Sequence, residues 1–444
     1  MNRKWLVPLG VLMALSVVGV LTPEVEPAVK GDPFVGADVA WMLTASALVL
    51  LMTPGLSFFY GGMVQHKNVI STMLQSFIAI GLISLLWVFF GFSLAFGDSF
   101  HGLIGNPLTF WMFRGVGGAT HPALSPTVPL ALYAMFQLKF AIITPALITG
   151  AFAERIRFSA YSLFIILFSI FIYSPLAHWT WHPEGILRTW GVLDFAGGTV
   201  VHMSAGFAAL AGALMLGRRK SHVVRKQHHP ANVPYVLLGT GMLWFGWFGF
   251  NAGSALAAND TAVLAFVTTN TASAAAMLAW VFLDVARGQK VTAMGASIGA
   301  VVGLVAITPA AGFVTVGSSI IIGAGAAIIS NLAVLWKSRS NLDDTLDVFF
   351  CHGVGGAVGM IATGIFAAKV GLIYGDTTTF LHHLGALVLV GVFAFGGSYL
   401  LYKVTDLLIP VRVSEADEAL GLDLSQHGET LSGSEDRDAA LLSG

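Results

Sequence analysis

After residue 37 the chain is a succession of apolar runs, each long enough to cross a bilayer as a helix, at 38–62, 71–96, 128–152, 158–178, 197–217, 231–257, 262–284, 291–309, 315–336, 347–368 and 382–408. Roughly 20 apolar residues span the hydrocarbon core at helical rise. Inside lipid every backbone N–H and C=O must find its partner within the protein, so runs of this length fold as helices. The balance of side chains agrees: 56% are apolar and 10% charged, against about a quarter charged in soluble proteins. The predicted fold class is therefore an all-α integral membrane protein with eleven transmembrane helices. A formal charge of −1 and the absence of a long basic block point away from nucleic acid. Cys351 is the only cysteine, so no intrachain disulfide can form.

Basic residues set the expected orientation. Alternate loops hold Lys67; Arg155 and Arg157; Arg218, Arg219, Lys220, Arg225 and Lys226; Arg287 and Lys290; Lys337 and Arg339, whereas the intervening loops hold only Arg114, Arg188 and Lys369. The first set belongs in the cytoplasm, which puts the start of the membrane domain outside and the tail inside. Residues 1–25, with Arg3 and Lys4 before an apolar run from Trp5 to Leu21, read as a signal peptide or a retained extra helix. The membrane domain is expected over 38–409. Residues 410–444 form a polar, acidic cytoplasmic tail whose last dozen residues have the composition of a disordered segment. Eleven helices divide as five plus five plus one. Because five is odd, the second set crosses in the opposite sense, giving an inverted repeat with a site between its halves. Glycine-dense stretches such as "GASIGAVVGLVAITPAAG" favour close backbone packing in lipid.

Polar groups within hydrocarbon are costly unless satisfied, so they mark candidate sites. His202, in "FAGGTVVHMSAG", and His352, in "VFFCHGVGGAVG", fall in the fifth and tenth runs, one per repeat. Each is either a neutral core histidine bonded to a carbonyl or half of a functional pair. Two neutral imidazoles can share a proton, offer a donor and an acceptor, and keep net charge low. Asp194, eight residues before His202, suits a helix N-terminus and also supplies negative potential for a cation. Aromatics gather at Phe136 and Phe140, Trp179 and Trp181, and Trp244, Trp247 and Phe250. They form an interfacial belt or a cation–π cup, and Ser254, one turn beyond Phe250, offers an acceptor that a belt does not need. Lys139, mid-run beside Phe140, reads as a snorkelling side chain, and Glu154, Arg155 and Arg157 as a structural charge cluster.

Five segments together, "DVAWMLTASALVLLMTPGLSFFYGGMV", "FAIITPALITGAFAERIRFSA", "LDFAGGTVVHMSAG", "WFGWFGFNAGSA" and "LDVFFCHGVGGAVG", resemble the ammonium transporter family (Amt/Mep/Rh), its bacterial Amt branch in particular. The resemblance implies an inner-membrane homotrimer with one pore per subunit, no cofactor, no metal and no enzymatic activity. It implies an outer ammonium site at Trp181, Ser254 and Phe140 supported by Asp194, a gate of Phe140 over Phe250, and a pore lined by His202 and His352. It also implies a P-II signalling protein as a partner at the cytoplasmic loops and tail. This chain departs from the family pattern at His182-Pro183-Glu184, at Lys139 and at Phe350-Cys351. Two other readings remain: a sensor that reports ammonium through its tail, and a membrane oxidoreductase with the two histidines as haem ligands.

Overall fold

A computed structural model describes residues 6–23, 25, 31–224 and 229–431. Arg3, Lys4, Arg225, Lys226 and the last dozen residues lie outside them. Among the described residues the regular structure is helical apart from two small antiparallel hairpins in the 97–129 segment and one isolated bridge between Ile156 and Arg412. Following Leu6–Leu21 (α1), the helices are Gly36–Met63 (α2), His66–Phe96 (α3), Leu130–Phe152 (α4), Phe158–Thr189 (α5), Gly198–Leu216 (α6), Val233–Gly253 (α7), Asp260–Ala286 (α8), Ala293–Ile307 (α9), Val316–Ser338 (α10), Phe349–Phe366 (α11) and Thr377–Leu408 (α12). Among the described residues ten of these are long and apolar enough to cross a membrane, and α9 is shorter at 15 residues. Every predicted run thus coincides with a helix, and the run at 291–309 is the one whose helix falls short of a full crossing.

Small residues decide which helices meet. A Cβ on Gly239 of α7 would lie 2.4 Å from the Phe59 nitrogen of α2, and one on Gly249 2.7 Å from the Ala45 oxygen, so α2 and α7 run backbone against backbone. The pair α6 and α11 does the same, since a Cβ on Gly206 would lie 2.1 Å from the Gly353 nitrogen. First helix on first and fifth on fifth is the pairing that a twofold relation between two sets of five requires.

Both fifth helices begin as π-helical turns, Gly198–Met203 and Phe349–Gly353. Their bonds reach back five residues: His202 N–H to the Gly197 carbonyl, Ser204 to Thr199, and Val354 to Phe349. Widened turns of this kind cost regularity and concentrate at functional sites. Here each one carries the histidine that its helix brings to the crossing.

At the face where α2 ends, the loops and tail are tied together by buried charge. Arg219 grips Asp343 at 2.8 Å and Glu154 at 2.7 Å, and Glu154 also accepts from Gln65 N–H at 2.6 Å. Arg155, fully buried, donates to the carbonyls of Ala151 and Asp343 and to the Thr345 hydroxyl. The sequence reading of a structural cluster holds for Glu154 and Arg155. Arg157 instead reaches the Pro410 carbonyl. The tail docks on this face by capping helices in trans. Asp423 accepts from Ile70 and Ser71 N–H at the start of α3, and Gln426 accepts from Phe158 N–H at the start of α5, filling donors that a helix leaves open at its N-terminus.

Candidate functional site

Asp194 precedes α6 and saturates its first turn. One carboxylate oxygen accepts from Gly197 N–H (2.8 Å) and Gly198 N–H (2.6 Å). The other accepts from Thr199 N–H (2.7 Å) and its hydroxyl (2.5 Å). Gly197 takes φ +114° to make the turn, a conformation that glycine adopts without steric cost. The carboxylate expected at a helix start is therefore one, and its four contacts fill the lone-pair sites that two oxygens offer.

Beside it opens a cavity of about 170 Å³ lined by Gln137, Phe140, Trp181, Asp194 and Ser254 among others. Trp181 Nε1–H donates to the Asp194 carbonyl (3.2 Å), which turns the indole across the cavity. Phe140 meets Trp181 edge-on at 5.7 Å and stacks on Phe250 at 4.1 Å. Phe140 and Phe250 are 1% and 0% exposed, so the two rings close the cavity floor. Beneath them Phe250 lies 6.1 Å from the His202 ring, His202 stacks on Trp247 at 5.4 Å, and His202 and His352 stack at 5.4 Å. Beyond His352 a second, tight space of about 10 Å³ is bounded by Phe59, Tyr60, Met63 and Cys351 on the tail face. Sequence-predicted residues Trp181, Ser254, Phe140, Phe250, Asp194, His202 and His352 thus form one file from cavity to cavity.

The histidines bond each other, Nδ1 to Nδ1 at 3.3 Å. Their protons follow from Thr308. Its hydroxyl hydrogen goes to the Leu304 carbonyl (2.8 Å), and its oxygen already accepts from Trp247 Nε1–H (2.9 Å). His202 Nε2, 3.3 Å from the same oxygen, therefore carries the hydrogen there, which leaves His202 Nδ1 as an acceptor. His352 then donates from Nδ1 and keeps its Nε2 lone pair. One arrangement satisfies Thr308, Trp247 and both Nδ1 atoms with both rings neutral.

Of the departures from the family pattern, only Cys351 borders this file. Half-buried Lys139 is absent from the cavity lining and points to another side of α4. His182 stacks on His178 at 4.2 Å and receives Glu184 N–H, closing a tight turn, and none of 182–184 lines the cavity. Cys351 borders the lower space and Phe350 does not. Trp179, grouped with the aromatic cluster in sequence, donates to the Leu103 carbonyl and packs on Phe393 instead.

Three contributors escaped the sequence reading. Asp344 accepts from Val348 and Phe349 N–H at the start of α11 (3.1 and 2.8 Å), eight residues before His352 as Asp194 stands before His202. That repeated spacing was the signal. Buried His383 of α12 accepts from Leu193 N–H (3.0 Å) and donates to the Met360 carbonyl (2.7 Å), joining the Asp194 loop to the His352 helix. Neither it nor Thr308 has a linear pattern that would single it out.

Residues 40–431 match the profile of the Ammonium Transporter Family. The chain belongs to that family. It is 45% identical over 404 residues to an ammonium transporter of Bacillus subtilis, covering 88% of this chain and 97% of that one. Among solved structures, Candida albicans Mep2 superposes with a TM-score of 0.82 at 37% identity over 89% of this chain and 90% of that one. A structure described as a sensor Amt protein gives 0.81 at 30%, over 88% and 98% respectively.

Proposed function

We propose that the protein transports ammonium across the cytoplasmic membrane, with the Asp194 cavity outside and the tail face in the cytoplasm. Ammonium loses its water in the cavity against Phe140 and Trp181, whose ring faces attract a cation by roughly 0.5–2 kcal/mol each. It then gives up one proton to water in the cavity, and ammonia passes the Phe140–Phe250 gate and the two imidazoles. Burial favours the neutral species of any titrating pair, so the apolar floor itself promotes that loss. Potassium, with no proton to lose, stops at the floor. The observation that carries this reading is the unbroken file from Trp181 through His202 and His352 with a cavity at each end. Asp194 works by fixing the cavity wall and by its field, since its lone pairs are spent on backbone. The family resemblance extends the proposal to a homotrimer with a pore in each subunit and to a P-II signalling protein docking at the tail face.

The test is an ammonium concentration jump on proteoliposomes, reading transient current and lumenal pH together, with Asp194→Ala as control. A current lost in the control means that charge crosses, and lumenal alkalinisation without current means conduction of ammonia alone. Neither signal in the intact protein would overturn transport and favour a sensor, a reading prompted by the likeness to the sensor Amt structure. Replacing His202 or His352 by Asp is expected to admit potassium; continued exclusion would refute the deprotonation step. The haem reading is disfavoured because the two rings bond each other directly.

A further inference from the structure

The cavity beside Asp194 has to satisfy a guest that carries four N–H donors and no acceptor, and most of its polar groups cannot help. The Asp194 oxygens are already filled by three backbone N–H groups and a hydroxyl. Trp181 Nε1 only donates, and does so to a carbonyl. Ser254 sends its hydrogen to the Phe250 carbonyl (2.8 Å), which leaves its oxygen free to accept.

Gln137 is a further acceptor, beside the Tyr133 hydroxyl that also lines the cavity. It lies on the face of α4 shared by Phe140, three residues on, and Tyr133, four before, and all three line the cavity. The side chain is 7% exposed, and its Oε1 is buried with no hydrogen-bond partner. A buried amide oxygen without a partner is destabilising, and natural structures keep few of them. An amide carbonyl also presents the negative end of a dipole without a full charge, so it can hold a cation briefly and release it.

We propose that Gln137 Oε1 is a direct hydrogen-bond acceptor for ammonium in this cavity, completing a site with the Ser254 hydroxyl oxygen and the faces of Phe140 and Trp181. The proposal rests on the reading that ammonium enters through the Asp194 cavity. It adds the residue that recognises the N–H donors, a role that ring faces, being indifferent to the cation's hydrogens, do not fill.

The experiment is a concentration series of ammonium jumps on proteoliposomes carrying wild type, Gln137→Leu, Gln137→Glu or Ser254→Ala, each scored for half-saturation and maximal signal. Gln137→Leu keeps the volume and deletes the acceptor. The expected result is a half-saturating concentration raised about tenfold, in keeping with a hydrogen bond to a charged group, and a maximal signal within about twofold of wild type. Its thermal midpoint should be no lower than wild type, because the orphaned oxygen is gone. Gln137→Glu keeps the acceptor and adds charge, and should bring half-saturation below the wild-type value. Unchanged half-saturation in Gln137→Leu, or loss of maximal signal alone in both variants, would overturn the proposal while leaving transport intact. Should Gln137→Leu fail to fold, Gln137→Glu decides: unchanged or weakened half-saturation there overturns it. A shift in Ser254→Ala without one in Gln137→Leu would assign recognition to the serine alone, whereas silence in wild type removes the reading beneath the proposal.

Discussion

The two histidine turns share a plan and differ in what surrounds them. Each begins with an aspartate eight residues ahead of its histidine, winds as a π-helix and crosses the other at glycine. Asp194 makes four contacts with its turn, and Asp344 holds its own with two backbone bonds. The first turn faces a cavity of about 170 Å³ and the second a space of about 10 Å³. Asp344 is backed by Asp343, whose partners Arg219 and Arg155 tie that turn to the loops and the tail. One scaffold thus stands in two settings, one beside an open cavity and one tied by ion pairs to the neighbouring loops.

The sharpest test of that division sets Asp194→Ala against Asp344→Ala. The first should remove nearly all ammonium flux, and the second should slow it by about tenfold, since it loosens a turn without opening the receiving cavity. Equal collapse in both would erase the distinction. Anchoring is tested by Arg219→Ala, which strands Asp343 and Glu154 in a buried setting and should cost about 3–5 kcal/mol of stability in a denaturation series. A loss below about 1 kcal/mol would mean that the network is not an anchor.

The adjacent aspartates should also respond oppositely to pH. Burial pushes the Asp344 carboxyl up to about 6, with the Lys337 charge opposing. The folded chain therefore binds that proton more tightly than the unfolded chain, whose value is 3.8. Its contribution to stability is full below that value and declines as pH rises through about 6, by on the order of 2–3 kcal/mol. Burial works against the Asp343 charge too, but the Arg219 hydrogen bonds and the Arg155 and Arg219 charges outweigh it and hold this carboxyl well below the usual range. Its contribution is present above 3.8 and lost as pH falls. Thermal midpoints of Asp344→Asn should thus flatten the slope between about pH 4 and 6, and those of Asp343→Asn the slope below it; a single slope shared by both variants would contradict the assignment. The smallest effect is expected at the tail. Asp423→Ala, which uncaps α3, should cost about 1 kcal/mol in the same assay.

What could be read from the chain alone follows from the reach of each interaction. Spans were legible because apolarity over twenty residues is a local property, and runs such as 38–62 and 128–152 fall within a few residues of α2 and α4. His202 and His352 were legible because a polar residue inside such a run stands out against its own neighbours, and Asp194 because a carboxylate just ahead of a run suits a helix start. Gln137 was not, because glutamine beside Tyr133 and Phe140 shows nothing until the cavity exposes its missing partner. The same holds for Thr308 and His383, whose partners lie 106 and 190 residues away. The tail was read as a polar appendage, but its acidic and amide side chains cap helices more than 260 residues earlier.

The hydrogen held between the two imidazoles imposes a sense of rotation on any current. With Thr308 fixing His202 as a donor at Nε2, the free lone pair of the couple is His352 Nε2. Passing one proton along the couple leaves both rings inverted, and the next cannot follow until they are rewound. A protonic current would then run at the pace of that rewinding and slow in heavy water, while ammonia slipping past the same rings would keep its speed.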